Sequence, residues 1–128
     1  MEFPDDRRYA ATHEWAKVEG DQVRVGITSF AVEQLGDIIY LDLPEAGHAV
    51  QQGAPFGEIE SVKAVSELYA PISGEIRAVN EPVTDDLDRI ADDPWEGAWL
   101  VTIAPDDLAE MDGLMDAEAY AAHCEEEA

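Results

Sequence analysis

Gly57-Glu58-Ile59-Glu60-Ser61-Val62-Lys63-Ala64-Val65-Ser66-Glu67-Leu68-Tyr69, followed by Ala70-Pro71-Ile72-Ser73-Gly74, is the stretch that decides the fold. On the way in, Ile59 alternates with Glu58 and Glu60, the period of a strand with one buried face. On the way out, Val65, Leu68 and Tyr69 bring strand formers back until Pro71 stops the run. The two halves read as a hairpin over residues 55–72 with Val62-Lys63 at its turn. Connecting residues lie at the surface on a rigid scaffold, so Lys63 is expected at an exposed tip.

The composition makes that lysine informative. The chain has 128 residues and only two lysines, Lys17 and Lys63, against 30 acidic residues. An ordinary surface lysine is a solvated charge. A surface that has shed nearly all its lysines yet keeps one at a turn points to a covalent task that arginine cannot perform, because the amine is the acylatable group.

Working outward, Trp15–Val18 and Gln22–Ile27 alternate as paired strands around Glu19-Gly20-Asp21. Thr28 or Ser29 can cap a short helix that runs to Leu35 and stops at Gly36. Ile38–Leu43 reads as a buried strand, and Pro44-Glu45-Ala46-Gly47 as a turn before a short strand at Ala49-Val50. Gly74–Val79 and Trp99–Ile103 are further strands, separated by an aspartate-rich loop over 81–94. From Pro105 the period lengthens: Leu108, Met111 and Leu114/Met115 share a helical face, and Asp116 caps a second helix from Ala117 to about Cys124. The C-terminal helical segment is therefore expected over 106–125. Many short strands between turns indicate an all-β-dominated sandwich or flattened barrel in a single domain, 1–128.

Charge and cysteine content narrow the function classes. At net charge −23 with seven scattered basic residues, neither nucleic acid nor an anionic membrane is an expected partner. Like charges oppose compaction, and molar salt relieves them. This suits the cytoplasm of a halophile, or simply a soluble acidic protein. Cys124 is the one cysteine, so there is no internal disulfide and a reducing cytoplasm is expected. Met1-Glu2-Phe3-Pro4-Asp5-Asp6 shows neither a secretory nor a mitochondrial address. His13, His48 and His123 have no metal-ligand spacing with one another or with Cys124, and the aspartates at 85–93 fail the calcium-loop pattern, so no metal is expected. No nucleophile, phosphate loop or catalytic carboxylate pair stands out, and the chain is not expected to be an enzyme.

Glu60-Ser61-Val62-Lys63-Ala64 and Leu68–Ile76 resemble the lipoyl-lysine hairpin of glycine cleavage system H proteins. The likeness extends to Thr12-His13-Glu14-Trp15, Val25–Thr28, Glu33–Ile38, Leu43–Gly47, Val79-Asn80-Glu81 and Leu114–Tyr120, nearly end to end. It implies a lipoyl/biotinyl-type flattened barrel-sandwich with a short internal helix and C-terminal helices. It also implies lipoic acid on Lys63, with Glu60, Gly47 and Gly74 at positions read by the lipoate-attaching enzyme. Thr12, Glu14 and Glu67 would line the cleft that shelters the loaded arm, although Glu67 stands where the family often has aspartate.

The implied task is non-catalytic and belongs to a monomeric carrier. Aminomethyl groups pass from a pyridoxal-phosphate glycine decarboxylase (P protein) to a tetrahydrofolate-dependent aminomethyltransferase (T protein). Dihydrolipoyl dehydrogenase (L protein) then restores the arm's disulfide. A biotin carrier shares such a hairpin but flanks its lysine with methionines, where this chain has Val62 and Ala64. An unmodified binding module is the other alternative. Ala91, Trp95 and Ala98 depart from the family pattern, all away from Lys63.

Overall fold

The strand pair before the helix forms as the alternation requires. β2 (Glu14–Glu19) and β3 (Gln22–Ile27) run antiparallel with Trp15 opposite Gly26 and Val18 opposite Val23. Gly20 takes φ +64° in the connection, a conformation that costs glycine little. Gly26 has a different reason for being glycine: a Cβ there would meet the Trp15 indole at 2.6 Å. The bare backbone at 26 gives the fully buried Trp15 room to lie across the ladder.

The computed structural model describes residues 3–127. Met1 and Glu2, which open the stretch read for targeting signals, and Ala128 lie outside the described residues. Around β2 and β3 a six-stranded sheet takes the order β1-β2-β3-β9-β8-β5, with β1 at Arg8–Tyr9, β5 at Ala49–Val50, β8 at Gly74–Val79 and β9 at Val101–Pro105. A second sheet has the order β4-β6-β7, from Ile38–Asp42, Pro55–Ser61 and Val65–Tyr69. Every pairing is antiparallel.

Val23, Val25, Ile76 and Ile103 of the larger sheet share one core with Leu41, Ile59 and Leu68 of the smaller. Burying each such side chain contributes about 1.5–3 kcal/mol. This is the expected β-dominated sandwich, with helices added. α1 (Ser29–Leu35) is capped by the Thr28 hydroxyl, which accepts from the Ala31 N–H at 3.2 Å, and it ends at Gly36 with φ +76°.

A second, aromatic cluster holds the C-terminal helix α4 (Ala117–Glu127) in place. Tyr9 stacks on Tyr120 with centroids 4.7 Å apart, and Trp15 and Cys124 complete the buried set. The Trp15 indole N–H donates to the Pro94 carbonyl at 3.0 Å. Asp116 accepts from the Ala119 N–H at 2.8 Å, capping α4 as its sequence position predicts.

Four local expectations need correction. The aspartate-rich segment is not a plain loop: it holds two short helices, α2 (Glu81–Asp85) and α3 (Asp88–Asp92). Val83 and Ile90 are fully buried there, two apolar anchors hidden among exposed acids. β4 is not a buried strand: Ile39 and Tyr40 are half exposed at 51% and 52%, and while Ile38 packs against the core, Leu41 alone is buried in it. The final strand starts at Val101, two residues later than expected. The first C-terminal turn is a 3-10 helix, Leu108–Gly113, with Met111 buried and Leu108, its first residue, exposed.

With 30 acidic residues on a chain this size, self-repulsion weakens the compact state until salt screens it. The thermal midpoint, followed by circular dichroism, is expected to rise from 0.1 M to molar KCl as the Debye length falls from about 10 Å to about 3 Å. An increase of about 4 °C or more is expected for each kcal/mol of repulsion removed. A flat midpoint would show that the charge is already accommodated.

Candidate functional site

The tip of the β6–β7 hairpin is built around the Ser61 side chain. Ser61 is 4% exposed, and its hydroxyl accepts from the Ala64 N–H at 3.1 Å and from the Lys63 N–H at 3.4 Å. The ladder closes below with Ser61 N–H donating to the Ala64 carbonyl at 2.8 Å. A third tie comes from outside the hairpin, where the Val62 N–H donates to the Asp37 carbonyl at 3.1 Å. A serine before a tight connection is a known turn former, so this clamp has a sequence signal of its own.

Lys63 itself is exposed and makes no ion pair among the described residues. Gly36 lies beneath its stem: a Cβ there would sit 3.3 Å from Lys63 Cε. The glycine that ends α1 thus also clears the path of the lysine side chain, a role that its place as a helix stop does not reveal. Lys17 provides the contrast. Its ammonium lies 3.4 Å from Asp6, 3.7 Å from Glu19 and 3.9 Å from Glu96. One lysine is held among carboxylates, and the other presents an amine to solvent on a clamped turn. Chemically, the second can be acylated by a group delivered from another protein.

Along β7 the chain leads away from the tip to a buried carboxyl. Glu14 on β2 is 1% exposed. Its Oε2 accepts from the Tyr69 backbone N–H at 3.1 Å, and Thr12 Oγ1 is hydrogen-bonded to its Oε1. Burial pushes the Glu14 carboxyl up to about 7, with the Thr12 and Tyr69 hydrogen bonds opposing part of the rise. Above it opens a cleft of about 530 Å³ lined by Ala10, Thr12, Gly53, Tyr69, Pro71 and Leu114 among others. Thr12, Glu14 and Tyr69 are therefore brought together. Glu67 stands on the exposed face of β7 and accepts from the Tyr69 hydroxyl at 3.2 Å, so it joins this group through Tyr69 and does not line the cleft.

The remaining site candidates are spread out. Glu60 is half-buried on β6, opposite Tyr40 and Val65, one residue before the clamp. Gly74 opens β8 of the larger sheet, and Gly47 lies in the turn before β5. Gly47 has φ +94° and donates its N–H to the Ile76 carbonyl at 2.7 Å. At Gly74 a Cβ would lie 2.1 Å from the Ala104 carbonyl oxygen. Both glycines are required by the backbone whether or not another protein reads them. Tyr69, which binds Glu14 with its N–H and Glu67 with its hydroxyl, was not singled out from the sequence, where it reads only as a strand former.

Comparison with known proteins gives one consistent result. Residues 7–127 match the family model described as glycine cleavage H-protein. The glycine cleavage system H protein of Anaeromyxobacter sp. strain K is 50% identical over 127 residues, covering 99% of both chains. That of Geobacillus thermodenitrificans is 52% identical over 122 residues, covering 95% of this chain and 96% of the relative. Among solved structures, the H protein of Mycobacterium marinum superposes with a TM-score of 0.87 at 45% identity, over 94% of this chain and 97% of that one. A clamped hairpin with a free amine at its tip, on a two-sheet sandwich shared with these relatives, places this chain in the glycine cleavage H-protein family.

Proposed function

We propose that this chain is the lipoyl-bearing carrier of a glycine cleavage system, with lipoic acid joined by an amide to Lys63 Nζ. The observation that carries the reading is the contrast between the two lysines: only Lys63 is free of carboxylates and held out on a clamped turn. When bound, the group supplies a disulfide that can open by thiol exchange and a sulfur that can carry a one-carbon amine.

The chain's own residues do the rest. Ser61 and the Asp37 carbonyl keep the turn in one conformation, so that a lipoate-attaching enzyme meets Nζ in a constant setting. Gly36 leaves the stem room to lie back across α1. Thr12 and Tyr69 line the cleft, and the Glu14 carboxyl lies buried behind them. Glu14 Oε1 accepts from the Thr12 hydroxyl and Oε2 accepts from the Tyr69 N–H, so both oxygens serve as acceptors. A protonated amine in the cleft would favour the ionised form of Glu14, whose carboxylate lies behind Thr12 and Tyr69. Glu67 adds a second carboxylate at the rim through Tyr69. The partners are the glycine decarboxylase, the aminomethyltransferase and dihydrolipoyl dehydrogenase, each of which must release the carrier after its step.

The attachment is tested by incubating the purified chain with a lipoate-attaching enzyme, lipoate and ATP. Intact and peptide mass are expected to show one lipoyl adduct on Lys63 and none on Lys17. Lys63→Arg should gain no mass and should abolish glycine cleavage in the reconstituted system. A biotin adduct, modification of Lys17, or activity retained by Lys63→Arg defeats the reading.

Loss of the Ser61 hydroxyl removes the clamp but not the amine. For Ser61→Ala a stability loss of about 1–3 kcal/mol is expected from its two or three hydrogen bonds. The kcat/KM of lipoylation should fall about tenfold, the equivalent of 1.4 kcal/mol. An unchanged kcat/KM would mean that the attaching enzyme does not depend on the turn's conformation.

Glu14 gives the apo chain a pH signature. Its folded pKa, about 7, lies above the usual 4.5, so the folded state holds the extra proton between those values. The associated stability is full below about pH 4.5 and is lost as pH rises through 7. Glu14→Gln, neutral at every pH, should flatten this contribution. From pH 5 to pH 8 the wild type is expected to lose about 2–4 kcal/mol relative to the variant in urea titrations. Parallel curves would place the carboxyl's titration elsewhere.

A further inference from the structure

Away from Lys63, the fold brings His13 to a His–Glu pair that lies more than a hundred positions further along the chain. His13 stands in the turn between β1 and β2, and His123 and Glu127 stand one turn apart on α4. His13 Nε2 lies 2.7 Å from Glu127 Oε2, and His123 Nε2 lies 3.1 Å from the same oxygen. One ligand atom from each residue falls within a 4.8 Å cluster. We infer that His13, His123 and Glu127 form a binding site for a divalent transition metal of the zinc class, held by two imidazoles and one carboxylate.

The donor set is right for such an ion. Two imidazoles and a carboxylate with one position left open form a recurrent zinc arrangement, with ligands about 2.0–2.2 Å from the metal. Around a tetrahedral ion at that distance, ligand atoms lie about 3.3–3.5 Å apart. The present separations need only side-chain adjustments of about 1 Å to admit one. Magnesium and calcium prefer an all-oxygen shell, so two imidazoles select against them.

The outer partners are in place as well. His13 Nδ1 lies 2.6 Å from the Tyr120 hydroxyl, which lies 2.7 Å from Thr28 Oγ1. Without an ion the 2.7 Å contact to Glu127 places a proton on His13 Nε2; on metal binding that proton leaves, and Nδ1–H donating to Tyr120 would fix the tautomer with the Nε2 lone pair on the metal. Tyr120 is fully buried and stacked on Tyr9, so the orienting hydroxyl is rigid.

His123 Nε2 now donates to the Ala11 carbonyl at 3.1 Å; on metal binding its proton moves to Nδ1 and the carbonyl becomes an adjacent oxygen donor. His123 and Glu127 remain 29% and 45% exposed, so an ion can enter from solvent. Such an ion would pin α4 to the turn next to Thr12, which lines the cleft.

Co(II) is a suitable probe, added to the full-length Lys63→Arg chain in excess Mg(II), so that neither an arm dithiol nor bare acidic surface competes. One equivalent is expected to give the intense visible absorption of a four-coordinate ion, displaced by one equivalent of Zn(II). His123→Ala and Glu127→Gln, both on the accessible side of α4, should keep the circular dichroism of the parent. Their affinity should fall by more than the roughly 10–100-fold that loss of an outer partner costs, and Tyr120→Phe should fall within that range. No four-coordinate band in the parent, a band of equal affinity in His123→Ala, or a thiolate charge-transfer band assigning the ion to Cys124 would overturn the site.

Discussion

The hydrogen bond from the Tyr69 N–H to the Glu14 carboxyl joins the two sheets where no ladder can. Glu14 belongs to β2 of the larger sheet and Tyr69 to β7 of the smaller, so one buried side chain does what strand pairing does elsewhere. A carboxyl with 1% exposure is expensive to ionise, and the fold meets that cost by keeping it close to neutral and hydrogen-bonded on both oxygens. The result is a buried carboxyl behind an apolar-walled cleft, at the far end of the strand that leaves the lysine tip. The position of this one acid therefore sets both the closure of the sandwich and the chemistry of the cleft.

The surface follows an opposite logic. Thirty acids leave almost any cation on this chain within reach of a carboxylate, and Lys17, Arg7 and Arg24 are all paired. Lys63 escapes because the three residues of the turn carry it beyond β6 and β7, and because the neighbours at the tip, Val62 and Val65, are apolar and exposed at 69% and 61%. The amine faces solvent and makes no ion pair among the described residues, and its stem lies over a glycine. Availability of the nitrogen is thus a property of the whole hairpin, made by what is absent around it.

Most of the sandwich was legible in advance because its signals are local. Period-two alternation at Trp15–Val18 and Gln22–Ile27, turn glycines, the Thr28 cap and the Asp116 cap each act over a few residues, and each appears where its pattern stands. The misread segments depend on distant partners. Val83 and Ile90 are two apolar residues in an acidic run, too few to give a period, and become helix anchors only because the core offers them space. Ile39 and Tyr40 look like core residues, yet β4 sits at the edge of a three-stranded sheet with one face open.

The sequence by itself determined the β-dominated class, the hairpin and the identity of the residue at its tip, since propensity, alternation and turn chemistry are written in neighbouring residues. Only the tertiary structure decided what surrounds each group. It decided that Gly36 underlies Lys63, that Tyr69 bridges Glu14 and Glu67, and that His13 meets His123 and Glu127. The pairings of Gly36 with Lys63, Tyr69 with Glu14, and His13 with His123 and Glu127 span tens to more than a hundred residues, and no local propensity encodes a distance of that kind. They arise when two sheets and a C-terminal helix close on shared apolar cores, and the polar groups carried along come to rest beside one another.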